Sequence, residues 1–190
     1  MVQVMRGRVI IPNLEDSGSV SIGEPNTGVT IPPSESLAVK KATLTLSSFS
    51  VSVAEADDYG STKLLDLPDS NLLLLGVEVD CTITKAGTTN GLEAATDVDI
   101  AIGTAAASAS TLATTMIDII EKADLNADTL TGEFEAHTNN QATATFPKVI
   151  ADGASAALYL NVAAAITADD SLTVDGTITI AYIDLGNLSS

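Results

Sequence analysis

"LLLLGVEVDCTITK", residues 72–85, opens as an unbroken leucine run and turns into a strict alternation of apolar and polar residues. A membrane-spanning helix needs about 20 consecutive apolar residues, and this run meets Glu78 and Asp80 first. From Val77 onward, Val77, Val79, Cys81 and Ile83 point one way and Glu78, Asp80, Thr82 and Thr84 the other, the period of two of a half-buried β-strand. The stretch therefore reads as a strand that enters fully buried and emerges with one wet face. Cys81 falls on its apolar side, where a cysteine acts as a small hydrophobe; no histidine neighbours it in sequence, and a single cysteine makes no intrachain disulfide.

The same period extends outward along the chain. "ATLTLSSFSVSVA" (42–54) alternates but changes phase: Leu44 and Leu46 share one parity, Phe49, Val51 and Val53 the other, with Ser47 and Ser48 at the slip. A one-residue slip moves the core set into solvent, so a bulge or bend is expected there, as where a strand passes between two packed sheets. "EADDYGS" (55–61) reads as an acidic turn, and "TKLLDLP" (62–68) leads into the opening stretch. After "KAGTTNG" (85–91), with its Asn90-Gly91 turn signal, "DVDIAIG" (97–103) aims Val98, Ile100 and Ile102 to one side, and the two strands read as a long-looped hairpin. "STLATTMIDIIEKADLN" (110–126) is the helical candidate, with Ser110 or Thr111 as cap and Leu112, Met116, Ile119, Ile120 and Ala123 at helical spacing. Its β-branched residues argue equally for a strand in the same window. "GEFEAHT" (132–138) and "QATATFP" (141–147) read as short strands. "AALYLNVAAAI" (156–166) points Leu158, Leu160, Val162, Ala164 and Ile166 inward, "TADDS" (167–171) turns, and "LTVDGTITIAYID" (172–184) points Leu172, Val174, Ile178, Ile180 and Tyr182 inward, an expected antiparallel hairpin. Eight or nine short strands with at most one short helix predict an all-β protein, an antiparallel β-sandwich of jelly-roll type.

Composition agrees. Of the 190 residues 45% are hydrophobic but only 3% aromatic, without Trp, so the core is built from Val, Ile, Leu and Ala, a composition that favours sheet. Eight Lys plus Arg stand against 25 Asp plus Glu, a net charge of −17. Binding to a phosphate backbone needs clustered positive charge, so nucleic acid is not an expected partner. The first 41 residues balance Arg6, Arg8, Lys40 and Lys41 against Glu15, Asp16, Glu24 and Glu35, leaving 21 acids and 4 bases to the rest. Four of the six prolines (Pro12, Pro25, Pro32, Pro33) fall in the first 33 residues among Gly7, Gly18, Gly23 and Gly28. Such a segment resists helix and cannot be a central strand. Residues 1–35 read as an extended arm, with a plain linker as the alternative, and residues 36–190 as the sandwich body. No export leader or lipidation motif is read in the sequence, and the expectation is a protein made and assembled in the cytoplasm.

Motifs for chemistry are sparse. His137 is the single histidine, in "EAHTNNQ", so any Ser-His-Asp or Cys-His arrangement would depend on one polar-loop residue. A zinc site needs three or four ligands of suitable type and spacing, and the chain has neither a Cys nor a His pair. Asp57 with Asp58, Asp97 with Asp99, and Asp169 with Asp170 are the calcium candidates, but none fits a twelve-residue loop, and solvated surface is the competing reading. Phe49, Tyr59, Phe134, Phe146, Tyr159 and Tyr182 are the aromatic residues, mostly at core or turn positions, too few for the sugar platforms of a glycosidase. "IGTAAASAS" (102–110) lacks the glycines and Lys of a phosphate loop. No catalytic residue, metal or cofactor is expected.

The stretches "YGSTKLLDLPDSNLLLLGVEVDCTITKAG" (59–87), "VDIAIGT" (98–104) and "ADDSLTVDGTITIAYIDLG" (168–186) give the body, over roughly residues 59–186, a texture that resembles head decoration or cement proteins of tailed bacteriophages. The resemblance implies a β-rich body on the outside of the capsid shell, self-associated as dimers or, preferentially, trimers, with an N-terminal arm contacting the major capsid protein. It implies a virion location; from the charge, the periodicity and the sparse motifs above, no nucleic-acid or membrane partner and no enzymatic activity are expected. The alternative is a tail or fibre module that binds a host receptor or glycan; a glycosidase is a third reading. Arm residues Arg6, Arg8, Val9, Ile10 and Ile11 are the candidate partner contacts: the arginines for carboxylates or carbonyls, the aliphatic run for strand addition to a sheet edge.

Overall fold

The computed structural model describes residues 39–85, 91–92, 95, 97–125, 132–137, 146–151 and 156–186, with backbone alone for Lys85 and 132–137. The chain divides at Val39/Lys40, and the unit beginning at Lys40 is the one described. Arg6, Arg8, Val9, Ile10 and Ile11 lie outside the described residues, as does the arm of which they are part.

The described unit is all β apart from one 3-10 turn. Its strands are β1 (Lys40–Val53), β2 (Tyr59–Asp66), β3 (Asn71–Lys85), β4 (Val98–Gly103), β5 (Ile120–Leu125), β6 (Gly132–His137), β7 (Lys148–Ile150), β8 (Ala157–Ala164) and β9 (Asp170–Gly186). They form two antiparallel sheets: β1-β9-β3-β6, with β7 also on β3, and β2-β8-β4-β5. Setting the short β7 aside, this order is that of a jelly roll: every pair of consecutive strands except β4 and β5 lies in opposite sheets. One apolar core joins the inward faces of both: Val51 and Val53 of β1, Val79, Cys81 and Ile83 of β3 and Ile178 and Ile180 of β9 meet Ile100 and Ile102 of β4 and Leu158, Leu160 and Val162 of β8. No helix among the described residues is long and apolar enough to cross a membrane.

The phase slip of the first strand is a bulge. The ladder to β9 steps from Leu46↔Gly176 to Phe49↔Val174, so Ser47 and Ser48 together face Asp175. Ser48 has φ 50° and its N–H donates to the Asp175 carboxylate at 2.6 Å. Gly176, at φ 141°, lies against β3 so closely that a Cβ would stand 2.3 Å from the Asp80 carbonyl oxygen.

Four expectations are corrected. β8 and β9 do not pair as a hairpin: β8 lies between β2 and β4, β9 between β1 and β3, and "TADDS" crosses between sheets. Inward alternation tells which face of a strand is buried but not which strand lies beside it, and two strands facing one core from opposite sheets carry the same pattern. For that reason β3 and β4, too, lie in different sheets. The leucine run is not fully buried: Leu72 and Leu74 are in the core while Leu73 and Leu75 are half-buried, and a bulge between Leu74 and Gly76 moves the core set to odd residues. The helical reading of 110–126 gives way to a 3-10 turn at Thr114–Met116, while the strand reading of the same window holds in β5.

Candidate functional site

Residues 104–119 form the longest described connection between strands, and they lie over the outer face of the second sheet. Gly103 permits this closeness: a Cβ there would stand 2.3 Å from the Thr115 carbonyl oxygen. Leu112 and Met116 pack on Ala101 and Ala163 as a second small core, with Tyr59 and Ile117 at its margin. Asn161 of β8 is fully buried beneath the connection. Its amide donates to the carbonyls of Ala105 (3.0 Å) and Met116 (2.8 Å), and its oxygen accepts from the Ala107 N–H (2.9 Å) and the Ser61 hydroxyl (2.7 Å). Nothing in the sequence marks Asn161, because an outward polar residue on an alternating strand is ordinarily solvated.

Asp118 closes the connection. It accepts from the Thr104 N–H and hydroxyl, both at 2.8 Å, and from the Lys148 ammonium at 2.6 Å, tying β7 of one sheet to the start of β5 in the other. Three of the calcium candidates are used in the same way. Asp58 accepts the Ile166 N–H (3.0 Å), Asp169 the Glu55 N–H (2.8 Å), and the buried Asp170 the N–H groups of Leu92 (3.1 Å) and Ser171 (2.9 Å). These carboxylates fasten turns by taking up their backbone N–H groups.

Asp97 and Asp99 do come together, with Asp124 as a third carboxylate, all within 4.8 Å. The cation beside them is a side chain: Lys122 donates to both oxygens of Asp99, at 2.9 and 3.1 Å, and reaches Asp124 at 3.9 Å. Burial raises the Asp99 pKa above the ordinary carboxylate range; the Lys122 ammonium opposes the shift and the Asp124 carboxyl adds to it. A carboxyl whose folded pKa is raised binds its proton more tightly in the native state, so stability falls as pH climbs from the unfolded pKa through the folded one. Asp124→Asn removes a like charge and is expected to raise the thermal midpoint at pH 7 and to flatten its decline through the mildly acidic range. A lower midpoint at pH 7 in a thermal melt would contradict this.

Cys81 is 3% exposed, its thiol 3.6 Å from the Thr177 carbonyl, and burial pushes its pKa up to about 11. A thiol so placed is protonated at neutral pH and a poor nucleophile. Cys81→Ser is expected to cost about 1–3 kcal/mol through partial loss of hydrogen bonding around a buried hydroxyl, read as a shift in urea midpoint; no loss would show that the serine finds a full set of partners. His137 stands opposite Glu78 in the β3–β6 ladder.

Between the start of β1 and the end of β2, Ala42, Leu65, Leu67, Pro68, Leu74 and Tyr182 line an apolar cavity of about 190 Å³.

No protein-family model matches the chain, and no curated protein matches it. Among solved structures, a chain described as "Cyanophage Pam1 capsid asymmetric unit" is similar at 16% identity and a TM-score of 0.37, over 86% of this chain and 99% of that one.

Proposed function

We propose that this chain is a structural virion protein of a tailed phage, bound to the outside of the capsid shell and stabilising it by contact with the major capsid protein. The observation that carries the reading is how the described body uses its polar groups. Asp58, Asp118, Asp169, Asp170 and Asn161 all take up backbone groups of the body's own turns and connections, a use of polar groups that suits passive clamping. The resemblance of residues 59–186 to decoration proteins supplies the context. A jelly roll suits it, being an architecture of capsid and lectin domains alike, and a fold alone never fixes a function.

In this reading the near-neutral segment with Arg6 and Arg8 supplies the contact, and the acidic body keeps copies apart until they bind. The lectin use of the same architecture keeps a receptor- or glycan-binding tail module as the competing function. Co-sedimentation of the full chain with undecorated capsids and, in parallel, with host cells separates the two. Saturable binding to capsids is expected; binding to cells or glycans without binding to capsids would replace the decoration reading with the tail one.

A further inference from the structure

β1 is an edge strand with two unlike halves. Toward its end it is covered by β2: the Thr62 hydroxyl donates to the Ser50 carbonyl at 2.9 Å, Ala54 bridges to Tyr59, and Gly60 lies so close that a Cβ would overlap the Ser52 carbonyl oxygen. Val51 and Val53 are accordingly buried. The first half, Lys40–Leu46, pairs only with β9 among the described residues. There the inward-facing Ala42 and Leu44 are only half-buried, and the cavity opens between Ala42 and the end of β2.

We infer that the open half of β1, with this cavity, takes up an extended segment of a partner protein as an added strand, the partner being the major capsid protein; the inference rests on the capsid reading above. Unpaired N–H and C=O groups along an edge are a template for strand addition, in which main-chain hydrogen bonds give affinity and pockets for alternate side chains give specificity. The added strand places a large aliphatic or aromatic side chain in the apolar cavity. On the outer face it places a carboxylate beside Lys41, which is exposed and makes no ion pair among the described residues.

Charge selects this corner. Lys40 is paired with Asp184 at 3.4 Å, and Asp66 at the cavity rim with Lys63 at 2.7 Å. With Asp69 beside Pro68 counted as well, Lys40, Lys41 and Lys63 balance Asp66, Asp69 and Asp184, so the corner is neutral in a chain of net charge −17, and an acidic segment meets less repulsion here than the charge of the whole chain would give. The Ser47–Ser48 bulge ends the open stretch and confines the added strand to its first half.

The test is Ala42→Leu in the full chain, which fills the cavity from β1. Its thermal midpoint is expected to stay level or rise while the fraction bound to undecorated capsids falls at least tenfold. In the wild-type chain, the amides of Lys40–Leu46 that point away from β9 are expected to exchange fast when free and slowly on the capsid. Binding of the variant at wild-type strength would overturn the inference, as would unchanged exchange. Protection already present in the free monomer would assign the edge to the chain's own N-terminal segment, and protection that grows with protein concentration alone would assign it to a second copy; either result overturns it. If the wild-type chain does not sediment with capsids, the capsid reading fails and the inference with it; if the wild-type chain sediments and the edge does not respond, the inference alone fails.

Discussion

A chain that starts at Ser34 is expected to remain a folded β-protein and to lose about a hundredfold in capsid binding, since joined contacts gain two to four orders of magnitude over either one alone. The described ladders and core begin at Lys40, so a chain that starts at Ser34 keeps every residue of them. The residues after 41 carry the whole of the −17, and against a capsid exterior of like sign their exposed charges repel over about 8–10 Å at ordinary salt. Attachment then needs a less charged surface. Arg6 and Arg8 offer donors to carboxylates or carbonyls, and Val9, Ile10 and Ile11 offer a short β-prone run. Fixing each backbone residue on binding costs about 1–2 kcal/mol, so a substantial hydrogen-bonded and apolar contact must offset it. Arg6→Glu with Arg8→Glu should weaken binding while circular dichroism stays that of the wild type. Full-strength binding by the shortened chain would make the segment a linker; loss of its β signature would make the segment part of the core.

Asn161→Ala is expected to be strongly destabilising, at about 3–5 kcal/mol. The side chain holds four partners at 2.7–3.0 Å, and each buried polar group left without a partner costs about 1–3 kcal/mol, discounted because the freed connection can relax toward water. Asn161→Asp should be no milder, because a carboxylate has no hydrogen to give to the carbonyls of Ala105 and Met116. Urea unfolding measures the loss, and limited proteolysis should show new cleavage within residues 104–119. A loss below about 1 kcal/mol, the net worth of one ordinary hydrogen bond, would mean that the connection is held by Leu112 and Met116 instead.

The faces of the strands were legible in the sequence, and their neighbours were not. The slip at Ser47–Ser48 gave the bulge, and the inward sets of β1, β4, β8 and β9 are the observed core. Pairing was illegible because strands of both sheets face one core with the same alternation. The 110–126 window misled for a physical reason. Leu112 and Met116 pack outside the second sheet on Ala101 and Ala163, whereas Ile119 and Ile120 enter the main core, so their helical spacing joins residues that serve two separate cores. Asn161 was invisible because its burial is conferred by a connection more than forty positions earlier in sequence. The use of Asp58, Asp169 and Asp170 as acceptors for turn N–H groups also depends on long-range partners.

The central claim is a place on the capsid, and a difference reconstruction tests it most directly: undecorated capsids imaged with and without saturating full-length protein. Added two-sheet density is expected on the outer shell at symmetry-related positions, threefold or quasi-threefold sites first among them, with a connection from each body into the capsid protein. A shell unchanged at saturation, or added density confined to the tail, would contradict it.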